Sequence, residues 1–219
     1  MLNSTSRKLA LAGWLHVNAP DAYNNSLRLQ KFLFLYEALC KAEGKEYEFS
    51  HLKGYERGPV FSTVWGDYTK EQEAFNIASR KQFEKLGDKI DAENAIKMAF
   101  IVKTSTDNEL SELTHQFDIW KKQEPRIVAK EKQVELLDSD FQERDVQLIT
   151  LLGNMYDVDQ IIDSAIVHCN NKYYVFSTED AKRLTEQHYD DLYKLSDNDD
   201  LINPVFTEID SEGVLTFVD

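Results

Sequence analysis

Side chains that could ligate a metal ion or act as nucleophiles are few in this 219-residue chain. The candidates are five histidines and two cysteines, namely His16, His51, His115, His168, His188, Cys40 and Cys169. No two of them have the spacing of an HExxH or CxxC motif. The glycine patterns of nucleotide-binding loops and of the serine nucleophile elbow are also missing. We therefore expect no catalytic residue, no metal site and no cofactor, and we predict that the protein is not an enzyme.

Two basic side chains lie in or near the most apolar part of the chain. Lys31 stands within the run LRLQKFLFLYEALC, and Arg57 directly precedes Gly58-Pro59. A lysine in such a helix can lay its stem along apolar surface and keep its ammonium group in water, which is the interpretation that we favour slightly for Lys31. The alternative places Lys31, Arg57 and Tyr36 together on a surface that meets a partner. For Arg57 the sequence leaves both interpretations open.

Three further residues have ordinary structural explanations. Thr114 and His115 fall at the end of a predicted helix, where a histidine favours the helix dipole and a threonine can bond to nearby backbone. Trp120 is more typical of a core or interface anchor than of a residue that stacks on a ligand. None of the three requires catalysis.

The element that carries Lys31 and Tyr36 is a helix that is apolar nearly all round. Ser26 is the predicted N-cap, and Gly44 is the predicted glycine that closes the helix. Such a helix is typical of the middle of a packed bundle. Farther along, Gly58 is expected at a second N-cap and Pro59 at the first position of the helix that follows, where the missing N–H of proline has no cost.

Periodicity predicts helices for most of the first half of the chain. The first ends near Asn18, a polar one ends near Gly87, Asp91 caps the next, and Thr106 opens a short one. Residues 1–125 are therefore expected to form a helical bundle.

The remainder of the chain, residues 126–219, differs in pattern. A helix is predicted to begin at Ser139 or Asp140, and two β-rich runs are joined by Asn170-Asn171, a pair that suits a two-residue hairpin. A further helix and a second hairpin follow. Since one hairpin alone is marginally stable, we predict a small α+β module with two β-hairpins as a second domain.

Charge is distributed unevenly between the two predicted domains. Residues 1–124 hold 18 acidic and 17 basic side chains, whereas residues 125–219 hold 21 acidic and 8 basic ones. This excess argues against direct nucleic-acid binding and favours a basic protein partner, or simply solubility. Because no run of 18 apolar residues occurs, we expect no membrane span. The two separate cysteines are typical of reduced core residues, and we expect a cytoplasmic protein.

Three segments taken in order resemble the Panacea domain of SocA-like and phage-associated antitoxins, over residues 5–125. They are LRLQKFLFLY (27–36), YERGPV (55–60) and LSELTH (110–115), with Trp120 five residues later. Phe32 and Phe34 depart from the family's pattern, and Asp118-Ile119-Trp120 replaces its Pro-Trp ending.

The resemblance implies an interaction protein: an antitoxin that neutralises a co-encoded toxin by direct binding, with delivery of the toxin to a protease as a further role in one branch. We expect the acidic residues 126–219 to supply specificity for a basic toxin. The residues carried over as scaffold or partner contacts are Lys31, Tyr36, Arg57, Gly58, Pro59, Val60, Thr114, His115 and Trp120. The alternative is a phage or prophage protein whose acidic half mimics DNA and engages a host nucleic-acid-binding protein.

Overall fold

The computed structural model describes residues 1–218, which are mainly helical with small β-sheets, as predicted. The helices are α1 (Ser6–Asn18), α2 (Pro20–Tyr23), α3 (Ser26–Ala42), α4 (Ser62–Lys70), α5 (Gln72–Leu86), α6 (Ala92–Lys103), α7 (Asp107–His115), α8 (Asp118–Lys121), α9 (Glu124–Val128), α10 (Glu143–Asn154), α11 (Val158–Ile162), α12 (Thr178–Ala181) and α13 (Glu186–Leu195). The strands are β1 (Leu52–Tyr55), β2 (Gly58–Phe61), β3 (Val134–Glu135), β4 (Ser164–Cys169), β5 (Lys172–Ser177), β6 (Val205–Ile209) and β7 (Leu215–Phe217). Among residues 1–218, no helix combines the length and the apolar composition that crossing a membrane requires.

The apolar helix α3 is buried from Leu29 to Cys40, which agrees with its lack of a polar face. Its N-cap is Asn25 and not Ser26, because the Asn25 amide oxygen accepts two backbone N–H groups of the first turn, at 2.9 Å and 3.2 Å. Gly44 ends the helix with a φ of +69°, as predicted.

The segment that was expected to begin a helix at Gly58 is a β-strand. β2 pairs antiparallel with β1 through a turn at Glu56-Arg57, and α4 begins only at Ser62. Gly58 has a φ of +104°, so it follows the turn in a conformation that a helix N-terminus does not use. Pro59 is tolerated because β2 is an edge strand of the sheet β2-β1-β3. The prediction of a helix capped by Gly58 and Pro59 is therefore wrong.

The chain divides into two compact units. The first unit comprises Met1–Lys103 and Asp107–Met155, and the second comprises Thr104–Thr106 and the residues from Tyr156 onward. This division differs from the one suggested by sequence at residue 125, because β3 pairs antiparallel with β1 and α10 packs against α3. Residues 126–155 thus belong to the first unit.

The second unit contains a four-stranded sheet in the order β4-β5-β6-β7. β4 pairs antiparallel with β5 across Asn170-Asn171, β5 pairs parallel with β6, and β6 pairs antiparallel with β7. The core of this unit is a small cluster that consists of Cys169, Tyr174, Phe176, Leu192, Val205 and Ile209.

Most helix boundaries in the first unit follow local signals in the sequence. α1 ends at Asn18, α5 ends before Gly87, and the Asp91 carboxylate caps α6, all as predicted. The helix predicted to begin at residue 139 or 140 begins instead after Gln142. The reason is local capping, in which the Asp145 carboxylate accepts the backbone N–H of Gln142 at 3.2 Å.

Candidate functional site

Lys31 supports the turn of the β1–β2 hairpin from α3. Its Nζ donates hydrogen bonds to the Arg57 carbonyl oxygen and to Thr114 Oγ1, the latter at 2.7 Å. Thr114 Oγ1 donates in turn to the Leu110 carbonyl oxygen at 3.0 Å within α7. The Lys31 side chain is 1 % exposed, so the prediction that its ammonium group reaches water is wrong. The Arg57 carbonyl oxygen and Thr114 Oγ1 accept the hydrogen bonds that water would accept from an exposed ammonium group.

Gly58 occupies the one place in the turn where a side chain would collide with this arrangement. A Cβ atom there would overlap Lys31 Nζ and Thr114 Oγ1. Its positive φ independently favours glycine. Lys31, Gly58 and Thr114, which come from the three separate segments of the Panacea-like pattern, therefore meet at one point.

The other strand of the hairpin is held by Trp120. Its indole Nε1 donates to the Tyr55 carbonyl oxygen at 3.0 Å, and the His115 ring stacks on the indole with 3.9 Å between ring centroids. The edge of β2 is held by Gln30, whose side-chain oxygen accepts the Phe61 N–H at 2.8 Å. The hairpin is thus fixed on both strands by side chains from α3, α7 and α8.

The site is electrostatically unusual because it buries a cation without a counter-ion. Within residues 1–218, no carboxylate oxygen lies within 4.0 Å of Lys31 Nζ. Burial and the nearby Arg57 charge together lower the pKa of Lys31 to about 7. Burial and the Lys31 charge also lower the pKa of His115, whose buried Nε2 has no hydrogen-bond partner among the described residues.

An open groove of about 580 Å³ lies alongside the hairpin. Four residues of the predicted site line it, namely Lys31, Arg57, Pro59 and Val60. Arg57 is the exposed member of this set, with 56 % of its side chain accessible. The groove therefore gathers residues from two of the three pattern segments around a single concave surface.

Tyr36 does not belong to this groove. It is 1 % exposed, and its hydroxyl oxygen accepts the Asp91 N–H at 2.9 Å, which links α3 to the start of α6. Burial raises the pKa of Tyr36. The alternative interpretation, a shared surface formed by Lys31, Arg57 and Tyr36, is therefore also wrong, since only Arg57 is exposed.

A second buried charged cluster was missed by sequence analysis. The fully buried Glu37 carboxylate is contacted by Lys8 Nζ and by the Arg7 guanidinium, with Nε–Oε1 at 2.9 Å and Nη2–Oε2 at 3.0 Å. Lys8 Nζ also donates to the Glu48 carbonyl oxygen at 2.7 Å. A glutamate inside an otherwise apolar helix is a signal that could have indicated a buried partner, because charges are rarely fully buried unless they are paired.

Groups that could hold a metal ion do not cluster. No set of three histidine, cysteine, aspartate or glutamate side chains in residues 1–218 is arranged for metal binding. Cys40 and Cys169 are both buried, and burial raises the pKa of each thiol. The arrangement at the hairpin can orient a turn and present a groove to a partner.

Comparison of the chain with protein-family models, with curated proteins and with solved structures gave no match.

Proposed function

We propose that this chain is an antitoxin-like protein, encoded beside a toxin that it neutralises by direct protein–protein binding. The observation that carries the proposal is the meeting of Lys31, Gly58 and Thr114 beneath one hairpin turn. These residues are up to 83 positions apart in the sequence. The motif order that resembles the Panacea domain therefore has a common physical purpose, which is to build one hairpin and the groove beside it.

Binding is favoured over catalysis by the way the polar groups are used. Lys31 donates to the turn and to Thr114, Thr114 donates within α7, and the His115 ring is stacked on Trp120. General acid–base catalysis needs a side chain within hydrogen-bonding reach of a substrate proton. Side chains that are already hydrogen-bonded inside the protein instead hold the surrounding surface in place. Delivery of the bound toxin to a protease is a further role that the resemblance supplies.

The second unit supports a basic partner. Residues 156–219 contain 15 acidic and 4 basic side chains. Such a surface attracts a basic protein at long range and accelerates its association. The same charge would suit the alternative, in which the acidic unit mimics DNA and engages a nucleic-acid-binding host protein.

Co-expression of the chain with the gene beside it, scored as rescue of growth, tests the proposal. We expect the neighbouring gene alone to arrest growth and the wild-type chain to restore it. Neutralising three exposed carboxylates of the second unit by Asp197→Asn, Asp199→Asn and Asp200→Asn should weaken rescue and slow association with the purified toxin severalfold at low salt.

A matched control neutralises three exposed carboxylates of the first unit. The exposed Glu73, Glu84 and Asp88 are replaced by Gln, Gln and Asn, and rescue should be unchanged. A neighbouring gene without toxicity would contradict the antitoxin proposal. Loss of a complex with a host nucleic-acid-binding protein in the Asp197, Asp199 and Asp200 variant would then favour the alternative.

A further inference from the structure

We propose that the groove beside the β1–β2 hairpin binds a peptide segment of the toxin in which carboxylate side chains alternate with apolar ones. This inference rests on the proposed function and deepens it, because it names the part of the partner that the first unit recognises. The contact would be separate from the one made by the acidic second unit.

The apolar part of the groove is anchored by Trp65. Its side chain is 44 % exposed although the residue is large and apolar, and Leu27 and Val60 line the same groove. An exposed tryptophan in a concave, partly apolar surface is typical of residues that contribute strongly to protein binding. The groove can therefore take apolar side chains from an extended segment.

The negative charges of the groove are already neutralised within the protein. Glu56 is ion-paired with Lys130, and Glu131 with Arg126. A basic ligand would have to compete with these lysine and arginine partners for the two carboxylates. This makes a basic segment of the toxin a poor occupant.

Of the basic side chains that line the groove, Lys130 is paired with Glu56, and the others are less completely neutralised. Within residues 1–218, Lys31 and Lys132 have no carboxylate within 4.0 Å, and Arg57 reaches Asp107 only at 3.9 Å. Arg57 and Lys132 are exposed and can contact a ligand directly. Charge complementarity therefore selects a ligand with carboxylate groups.

A nucleotide would also bring negative charge and a ring for Trp65, but the helix N-terminus beside the groove has two of its N–H groups already occupied. At the α3 end of the groove, two N–H groups of the first helical turn already donate to the Asn25 side chain. Phosphate sites at helix N-termini use such free N–H groups. The groove thus favours a peptide.

The probe is a short fluorescein-labelled peptide of alternating leucine and glutamate residues, titrated into the full-length protein and followed by fluorescence anisotropy. A second peptide carries glutamine in place of each glutamate. We expect the glutamate peptide to bind at least tenfold more tightly than the glutamine peptide, and its affinity to fall as salt is raised.

Two variants and one control locate the binding. Trp65→Ala should weaken binding of the glutamate peptide at least tenfold, and so should the double variant Arg57→Glu with Lys132→Glu. These side chains are exposed, so the fold should survive, which circular dichroism checks. Lys85→Glu reverses an exposed charge on α5, outside the groove, and should leave binding unchanged.

Equal affinity for the two peptides, no measurable binding of either, or binding that Lys85→Glu weakens as much as Arg57→Glu with Lys132→Glu would each overturn the proposal. Its failure is distinguishable from failure of the proposed function. If the Arg57 and Lys132 double variant still rescues growth fully, the antitoxin function stands and the groove is not its contact. If no neighbouring toxin exists but the peptide binds as expected, the groove site stands and the antitoxin function falls.

Discussion

The two units of this chain place their carboxylates differently, although each buries a lysine. The first unit buries charged side chains at its centre, including Lys8, Lys31 and Glu37, and surrounds them with hydrogen bonds. The second unit keeps its many carboxylates at the surface and packs a small, mostly apolar core. Removing a buried carboxylate leaves its partners uncompensated, whereas removing an exposed one does not. Single carboxylate substitutions should therefore affect folding strongly at Glu37 in the first unit and weakly in the second unit.

The largest effect is expected from removing the buried carboxylate of Glu37. Glu37→Gln removes the buried carboxylate that pairs with Arg7 and Lys8 and leaves Lys8 only the more distant Glu48 carboxylate at 3.9 Å. It should lower the free energy of unfolding of the first unit by about 3–5 kcal/mol. Tryptophan fluorescence during urea unfolding measures this, because Trp14, Trp65 and Trp120 all lie in the first unit.

Asp191→Asn is the matched change in the second unit, where the carboxylate forms an exposed pair with Lys194. It should leave hydrogen exchange of α13 unchanged. A large effect there, or a negligible effect of Glu37→Gln, would remove the contrast between the two units.

A second comparison uses Gly58 and Gly213, two glycines at β-hairpin turns that both have a positive φ. Gly58→Ala would strain the backbone and also collide with Lys31 and Thr114, which should cost about 3 kcal/mol. Gly213 in the β6–β7 turn has a φ of +82°, but within residues 1–218 nothing beyond its two chain neighbours lies within 4 Å of the position that a Cβ would take. Gly213→Ala should therefore cost only about 1 kcal/mol. Hydrogen exchange read separately for each hairpin gives both values. Equal costs would mean that the contact beneath the first hairpin is unimportant for stability.

The pH dependence of stability tests the buried ammonium group of Lys31. The unfolded chain holds this proton up to its ordinary pKa of 10.5, whereas the folded chain releases it at about 7. Between these values the unfolded state binds more protons, so the free energy of unfolding should rise with pH, by about 1 kcal/mol per pH unit from Lys31 alone.

Lys31→Met removes this titration and is the control for it. The variant loses the hydrogen bonds to the turn, but the informative quantity is its shallower slope of stability between about pH 7.5 and 9. The charged and titratable groups that face Lys31 are Arg57 on the hairpin and His115 on α7. The pKa of His115 is lowered from 6.5, so His115 does not titrate in this range. An unchanged slope would show that Lys31 does not lose its proton there.

The smallest effects on stability are expected from a feature that both units share, a single hydrogen bond from an aromatic side chain to a backbone carbonyl oxygen. Trp120→Phe removes the indole bond to the Tyr55 carbonyl oxygen, and Tyr174→Phe removes the hydroxyl bond to the Leu192 carbonyl oxygen at 3.1 Å. Tyr174→Phe loses one neutral hydrogen bond to the backbone and should cost about 1 kcal/mol in its own unit. Trp120→Phe loses a comparable bond and also leaves a small void where the buried indole is shortened, so it should cost somewhat more. Thermal unfolding combined with hydrogen exchange measures both. A much larger cost for Trp120→Phe would mean that the indole also orders the hairpin through its stack with His115.

Local signals predicted much of the helical structure and part of the candidate site. Gly44 and Asp91 were assigned correctly, because a cap depends on neighbours within one helical turn. Glycine before proline predicts a helix start at Gly58, because the same local pattern occurs in a turn and at an N-cap. Only the pairing of β2 with β1 distinguishes the two, and it requires a partner strand that the pattern does not reveal.

The sequence alone determined that α3 would be buried and that negative charge would gather toward the end of the chain, since composition and periodicity are properties of the residues themselves. The tertiary structure decided the environment of Lys31, whose bonding partners are 26 and 83 positions away. It also decided that Glu37 meets Lys8 and Arg7, about 30 positions earlier, instead of solvent. The physical reason is that a buried charge is stabilised only by groups that folding brings to it, and spacing along one helix does not identify those groups.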